Sequence, residues 1–217
     1  MKTPSRALIA TTSLTAIVLV AGCASGPTPQ ELDREAMAVI KASFRDQGIA
    51  KMDRLNQDLG QSACSSDKPP SDAVAEEVMA QAKAAVKWPA GGQYIGSWEA
   101  GERVAQDGRG MTWRETSTDP AGNGGMCYNC HQIGKAEISY GNIGPSLYNY
   151  GKNRGISDLN APTARPIIEY TWMKIYNSKS YNACSNMPRF GHFNLLNDKQ
   201  IADVMALLLD PRSPVNR

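Results

Sequence analysis

Two cysteines two residues apart, followed at once by a histidine, occur once in this 217-residue chain, as Cys127-Tyr128-Asn129-Cys130-His131. That spacing is the attachment signature of a c-type haem. Each thiol adds to one haem vinyl group, and two intervening residues let the backbone turn so that both sulfurs reach neighbouring edges of one porphyrin. The next side chain then faces the iron, for which imidazole is a good axial ligand. Two other chemistries share the CxxC core. Half of a zinc site would need two further Cys or His ligands, and five Cys and two His supply no second CxxC and no HxxxH. A thioredoxin-like redox pair usually follows a strand and opens a helix, whereas Asn123-Gly124-Gly125 precedes this one. The reading is therefore one haem c, covalently bound to Cys127 and Cys130, with His131 on the iron.

The rest of the chain must position that group. Gly144-Pro145-Ser146-Leu147 lies about a dozen residues past His131, where a proline carbonyl can accept the imidazole N–H, fix the ring and raise its basicity. A sixth ligand is expected from Met187, which precedes Pro188 and lies 56 residues past His131. A thioether ligand raises the reduction potential and suits electron acceptance. His192 is the alternative distal ligand. Met173 and Met205 sit within helical patterns and read as packing.

The N-terminus reads as a targeting segment. Lys2 and Arg6 precede an apolar run from Ala7 to Val20 that is too short for a membrane span. Val20-Ala21-Gly22-Cys23 resembles a bacterial lipobox, so residues 1–22 are expected to leave as a lipoprotein-type signal peptide and Cys23 to carry lipid. Ordinary secretory cleavage nearby is the alternative. Either way the protein is exported, expected in the periplasm and anchored to the membrane rather than spanning it. Of 23 basic residues, removal of Lys2 and Arg6 leaves as many as the 21 acidic ones. That balance gives no support for nucleic-acid binding. Three Phe against four Trp and eight Tyr point to an interior built partly from amphipathic aromatics.

Export makes the leftover cysteines informative. With haem on Cys127 and Cys130 and lipid on Cys23, Cys64 and Cys184 remain, and an oxidising compartment favours their pairing as a disulfide. Two separate thiols, or a reactive thiol at Cys184, are the alternatives.

The fold class expected is all-α: a small class I cytochrome-c-like domain over residues 88–217, preceded by an α-helical extension over residues 23–87. Thr28-Pro29-Gln30-Glu31 reads as a capping box with proline at the first helical position. Leu32, Ala36, Val39 or Ile40, and Phe44 recur at helical spacing; Gly48 is expected either to break this helix or only to weaken it, and Ile49, Met52, Leu55 and Leu59 continue the stripe to about Gly60. A polar loop from Ser62 to Pro70 comes next, then a helix capped by Ser71 and running to about Lys87. Gly101 to Ala105 begins a helix expected to cross the C-terminal one with a small residue at the crossing. Met111 to Gly125 reads as a surface loop. Asn197 caps a last helix from Asp198 to about Leu209, with Ile201, Val204, Met205 and Leu208 on its apolar face.

The segment from about Gly101 to Asn216 closely resembles the SoxX family, the monohaem c-type cytochrome subunit of the SoxXA complex of bacterial sulfur oxidation. The likeness rests on the haem motif, on Ile143-Gly144-Pro145-Ser146-Leu147, on Tyr150-Gly151-Lys152-Asn153-Arg154-Gly155 and above all on the run Tyr181-Asn182-Ala183-Cys184-Ser185-Asn186-Met187-Pro188-Arg189-Phe190-Gly191-His192. It implies a heterodimer with a SoxA-like haem subunit that joins thiosulfate oxidatively to a cysteine of the SoxYZ carrier, an L-cysteine S-thiosulfotransferase activity. Bond formation is expected on the SoxA partner, with electrons leaving through this haem to a downstream cytochrome. No residue of this chain is then catalytic. The alternative is a free-standing periplasmic electron-transfer lipoprotein without an enzymatic partner.

Overall fold

A computed structural model of the chain describes residues 26–217. The expected signal peptide and the lipid-bearing Cys23 lie outside the described residues. The chain divides into two units, one ending at Phe44 and one running from Arg45 to Arg217. In the first, α1 spans Pro29–Ser43. Its start is set by the expected capping box: Thr28 accepts from the Glu31 N–H, and the Glu31 carboxylate accepts from the Thr28 N–H at 2.7 Å. α1 buries none of its residues.

The apolar stripe read across residues 49–60 is not one continuous helix: it holds a single tight helical turn at Met52–Leu55 and the start of another helix at Leu59. Gly48 adopts φ +53°, and a Cβ there would fall 2.2 Å from the Trp113 carbonyl oxygen. The chain turns at this point, Gln47 bridges to Ala50, and the Ile49 N–H donates to the Glu115 carbonyl at 2.9 Å. Helical periodicity here reflects burial of Ile49 against a distant loop, which sequence spacing does not distinguish from a helix face. Asp58 then caps the short α2 (Leu59–Ala63), so the expected polar loop begins only after Ala63. α3 spans Asp72–Ala84, ending short of Lys87, whose carbonyl accepts from the Trp172 indole N–H at 2.9 Å. Ser71 stands at its cap without a side-chain hydrogen bond. α3 buries Val78 and Ala82 against the turn Ser178–Ser180. The compact unit runs from Arg45, because residues 45–87 pack on and cross-link to the helices and loops beyond Trp88.

α4 (Trp98–Gln106) crosses the C-terminal helix α7 (Asp198–Leu209) in the most extensive helix contact of the unit. Gly101 is the small residue at the crossing: a Cβ would sit 2.1 Å from the Asp203 carbonyl oxygen, so the two backbones approach as only glycine allows. The Asp203 carboxylate accepts from the Ser97 N–H at 2.9 Å and pairs with Lys199 at 2.7 Å, tying the entry of α4 to α7. α5 (Tyr150–Asn153) and α6 (Arg165–Tyr176) complete the framework. α7 begins and ends where its sequence signals place it, with a capping box between Asn197 and Gln200. It is buried all round from Gln200 to Leu209 rather than along one stripe, because α4, α5 and α6 all pack on it. Asn216 seals the far end: its side-chain oxygen accepts from the Gly151 and Lys152 N–H groups, and its amide donates to the Leu208 and Asp210 carbonyls. No strand forms among the described residues, and the all-α expectation holds.

Candidate haem site

Met126, in the left-handed region at φ +46°, turns the chain into the motif. Cys127–Asn129 form a single tight turn in which the N–H groups of Cys130 and His131 both donate to the Cys127 carbonyl, at 3.1 and 3.0 Å. Met111 to Gly125 is a loop with one short turn at Pro120–Gly122, and its end is fixed by the Gly125 N–H donating to the Val104 carbonyl of α4 at 2.7 Å.

The two motif cysteines are unpaired, while Cys64 and Cys184 are joined in a disulfide with Cα atoms 5.4 Å apart. Burial pushes the Cys127 thiol up to about 12. An activated redox cysteine is shifted the other way. Among the described residues no three His, Cys, Asp or Glu side chains converge as a metal site, which leaves the zinc alternative without ligands.

His131 is held as expected. Its Nδ1–H donates to the Pro145 carbonyl at 2.7 Å, which fixes the tautomer and leaves Nε2 as the free donor to iron. Gly144 forms one wall of its seat: a Cβ there would stand 2.1 Å from His131 Cε1 and 2.7 Å from Nε2. The segment after the motif is laced back to it through Gly141 N–H to Tyr128 O at 2.7 Å, Gly144 N–H to Cys130 O at 2.8 Å and Leu147 N–H to Gln132 O at 2.7 Å.

Met187 packs against the same hydrophobic core as Cys127 and Leu147. Its loop is pinned at several points. The Ser178 hydroxyl donates to the Met187 carbonyl at 2.5 Å, the Lys179 ammonium donates to the Ala183 carbonyl at 2.6 Å, and Cys184 is bonded to Cys64. His192 occupies a different setting, lining a cleft with Asp58, Lys179 and Arg189 and meeting the Phe193 ring edge-on. Two free thiols on one turn and an imidazole with its outer nitrogen engaged fit a covalently held haem, and the Met187 thioether stands on an anchored loop against the same core.

One functional neighbour escaped sequence reading. The buried Tyr128 hydroxyl donates to Glu102 Oε1 at 2.9 Å and accepts from the Gly134 N–H at 3.1 Å, linking α4 to the motif. Glu102 Oε2 is buried without a partner. Burial raises the Glu102 pKa, with Glu137 acting in the same direction and the Tyr128 hydrogen bond opposing. A helix glutamate 26 residues before an aromatic carries no local signal of such a pair.

The cytochrome c family model matches residues 124–210, from just before the motif to the end of α7. An uncharacterized lipoprotein of Aquifex aeolicus (strain VF5) is 32% identical over 211 residues, covering 94% of this chain and 95% of its own length. Residues 124–210 form a cytochrome c domain. The cytochrome has an all-α class I architecture and carries one covalently bound haem c, to which the free Cys127 and Cys130 would attach. When bound, that group supplies one-electron chemistry. His131 and Met187 would hold its iron, Pro145 fixes the imidazole, and Ser178 and Lys179 fix the loop that carries the thioether.

Proposed function

We propose that this cytochrome is the electron-accepting haem subunit of a SoxXA-like complex. It receives electrons as thiosulfate is joined to a carrier cysteine and passes them to a downstream cytochrome. The observation that carries the reading is the segment from Tyr181 to His192, whose sequence resembles the ligand loop of SoxX and whose Met187 is anchored by Ser178, Lys179 and the Cys64–Cys184 disulfide. Joining a thiol to thiosulfate releases two electrons and a proton, so a single haem must relay them one at a time. Two axial donors leave no open position for substrate on this iron. Bond formation therefore belongs to a SoxA-like partner acting on SoxYZ, as in an L-cysteine S-thiosulfotransferase.

The lipobox at Val20 to Cys23, together with a full-length relative named a lipoprotein, supports a periplasmic protein held to the membrane by lipid on Cys23. Among the described residues no helix is long and apolar enough to cross a membrane. The test is affinity purification from thiosulfate-grown cells, with haem staining and mass spectrometry of the co-purifying protein. A stoichiometric second haem protein, with thiosulfate-dependent reduction of this haem once the carrier is added, is the expected result. A monomer that no thiosulfate mixture reduces would make it a free-standing carrier instead.

A further inference from the structure

Beside the Met187 loop lies a cleft of about 210 Å³ that the haem site does not use. It is walled by α2, α3 and the segments carrying Asn177, Lys179, Arg189 and His192. Its charged lining does not balance. Lys179 and Arg189 are 8% and 9% exposed, and Asp58 is the one carboxylate that faces them. Both Asp58 oxygens are already engaged, Oδ1 by the Gln61 N–H at 2.8 Å and Oδ2 by Arg189 Nη1 at 2.6 Å.

The Lys179 ammonium donates to neutral partners, the carbonyls of Gly60 at 3.2 Å and Ala183 at 2.6 Å and the Cys64 sulfur at 3.9 Å, and forms no ion pair among the described residues. Its methylenes fill the space that Gly60 leaves, 2.9 Å from where a Cβ would stand. The cleft is thus a concave, half-enclosed site with two buried cations against one committed carboxylate. An uncompensated buried charge is costly, and an anion placed beside it offsets that cost. The titrating groups register the excess: burial first and then the Arg189 charge depress both Lys179 and His192.

The donor chemistry defines the ligand. A guanidinium offers five N–H donors in a rigid fork suited to oxyanions. The Arg189 ion pair engages Nη1, and the Phe193 ring covers one face of the group, 4.2 Å from its carbon. The remaining guanidinium edge and the His192 imidazole supply further donors around the cleft, the Gln81 and Asn177 amides already donating to Glu77 and the Ala82 carbonyl, while Val78, Ala82 and Ala85 close an apolar wall. The volume far exceeds what one water needs and is too small for a nucleotide or a peptide.

We propose that this cleft binds a small tetrahedral oxyanion, of the sulfate and thiosulfate type, held chiefly by Arg189 with His192 and Lys179 around it. The site stands independently of the partnership proposed above, since it rests on residues of this chain alone.

Isothermal titration of the haem-loaded protein with sulfate, thiosulfate and phosphate, at constant ionic strength in a chloride background, tests it. Saturable one-to-one binding of at least one of the three is expected. Preference for the two sulfur anions assigns the site to sulfur oxyanions, and equal affinities assign it to tetrahedral oxyanions in general. Two variants move in opposite directions. Asp58→Asn keeps the helix cap and removes the competing charge, so binding tightens. Arg189→Gln weakens it about tenfold or more, the loss of a charge-assisted hydrogen bond. Should Arg189→Gln fail to fold, His192→Leu, which leaves the ion pair intact, is expected to weaken binding several-fold. No saturable heat with any of the three anions overturns the proposal. So does Asp58→Asn weakening binding, because the carboxylate would then be part of the seat rather than a rival of the ligand.

Discussion

Replacing Gly144 with alanine is the sharpest probe of the haem site. The new methyl group would stand 2.1 Å from His131 Cε1 and 2.5 Å from Nδ1. Carbon atoms rest near 3.5–4.0 Å apart, so the ring must retreat by about 1.4 Å or more. It cannot then keep the 2.7 Å bond to the Pro145 carbonyl, because contacts much beyond ~3.5 Å no longer count as hydrogen bonds. Overpacking of this kind costs about 1–3 kcal/mol, and the lost hydrogen bond roughly 0.5–1.5 kcal/mol. Together they destabilise the haem-loaded protein by about 2–4 kcal/mol. At roughly 2–4 °C per kcal/mol for a chain of this size, melting falls by on the order of 10 °C. Losing the Pro145 acceptor also makes the imidazole less basic, so the reduction potential is expected to rise. The assay is thermal unfolding and potentiometric titration of the haem-loaded variant beside Gly122→Ala, a control position with nothing within 4 Å of its Cβ. A Gly144→Ala protein that melts with the wild type and titrates at the same potential would show that Gly144 does not seat the imidazole.

Other perturbations test separate links. Cys64→Ala with Cys184→Ala opens a loop of 120 residues; the chain-entropy model puts the loss near ~5 kcal/mol as an upper figure, measured by urea unfolding, and intact mass of the wild type should be two daltons below the dithiol form. Ser178→Ala removes the bond to the Met187 carbonyl from a fully buried site, destabilising by about 1–3 kcal/mol; the charge-transfer band of thioether-ligated ferric haem should weaken in this variant and recover in Ser178→Thr. Glu102 has its pKa raised above the ordinary 4.5 by burial. The native state therefore holds a proton that the unfolded chain has released, and stability falls as pH climbs through the window above 4.5. Glu102→Gln should flatten that part of the curve of urea midpoint against pH, and an unchanged slope would exclude Glu102 as its source.

Several features were legible in the sequence because their causes are local. The haem motif, the Gly144-Pro145 pair and the boxes at Thr28 and Asn197 act within a few residues of themselves, and each sits where its residues placed it. The Cys64–Cys184 pairing was also readable, since chemistry and compartment left only two thiols to pair. The fold class came from the same signals. What tertiary structure alone decided is whatever depends on approach between distant segments. The sequence left open whether Gly48 breaks the apolar stripe or only weakens it, and the approach of Gly48 to the Trp113 carbonyl decides for the break. Lys179 is buried because Gly60 leaves room for its stem and the Gly60 and Ala183 carbonyls accept its protons, which no residue near it in the sequence signals. The pairs Arg189–Asp58, Tyr128–Glu102 and Ser178–Met187 likewise join residues that no short-range pattern links. Backbone turns and caps are set by neighbours along the chain, whereas burial and charge compensation are set by neighbours in space, and those exist only once the helices have packed.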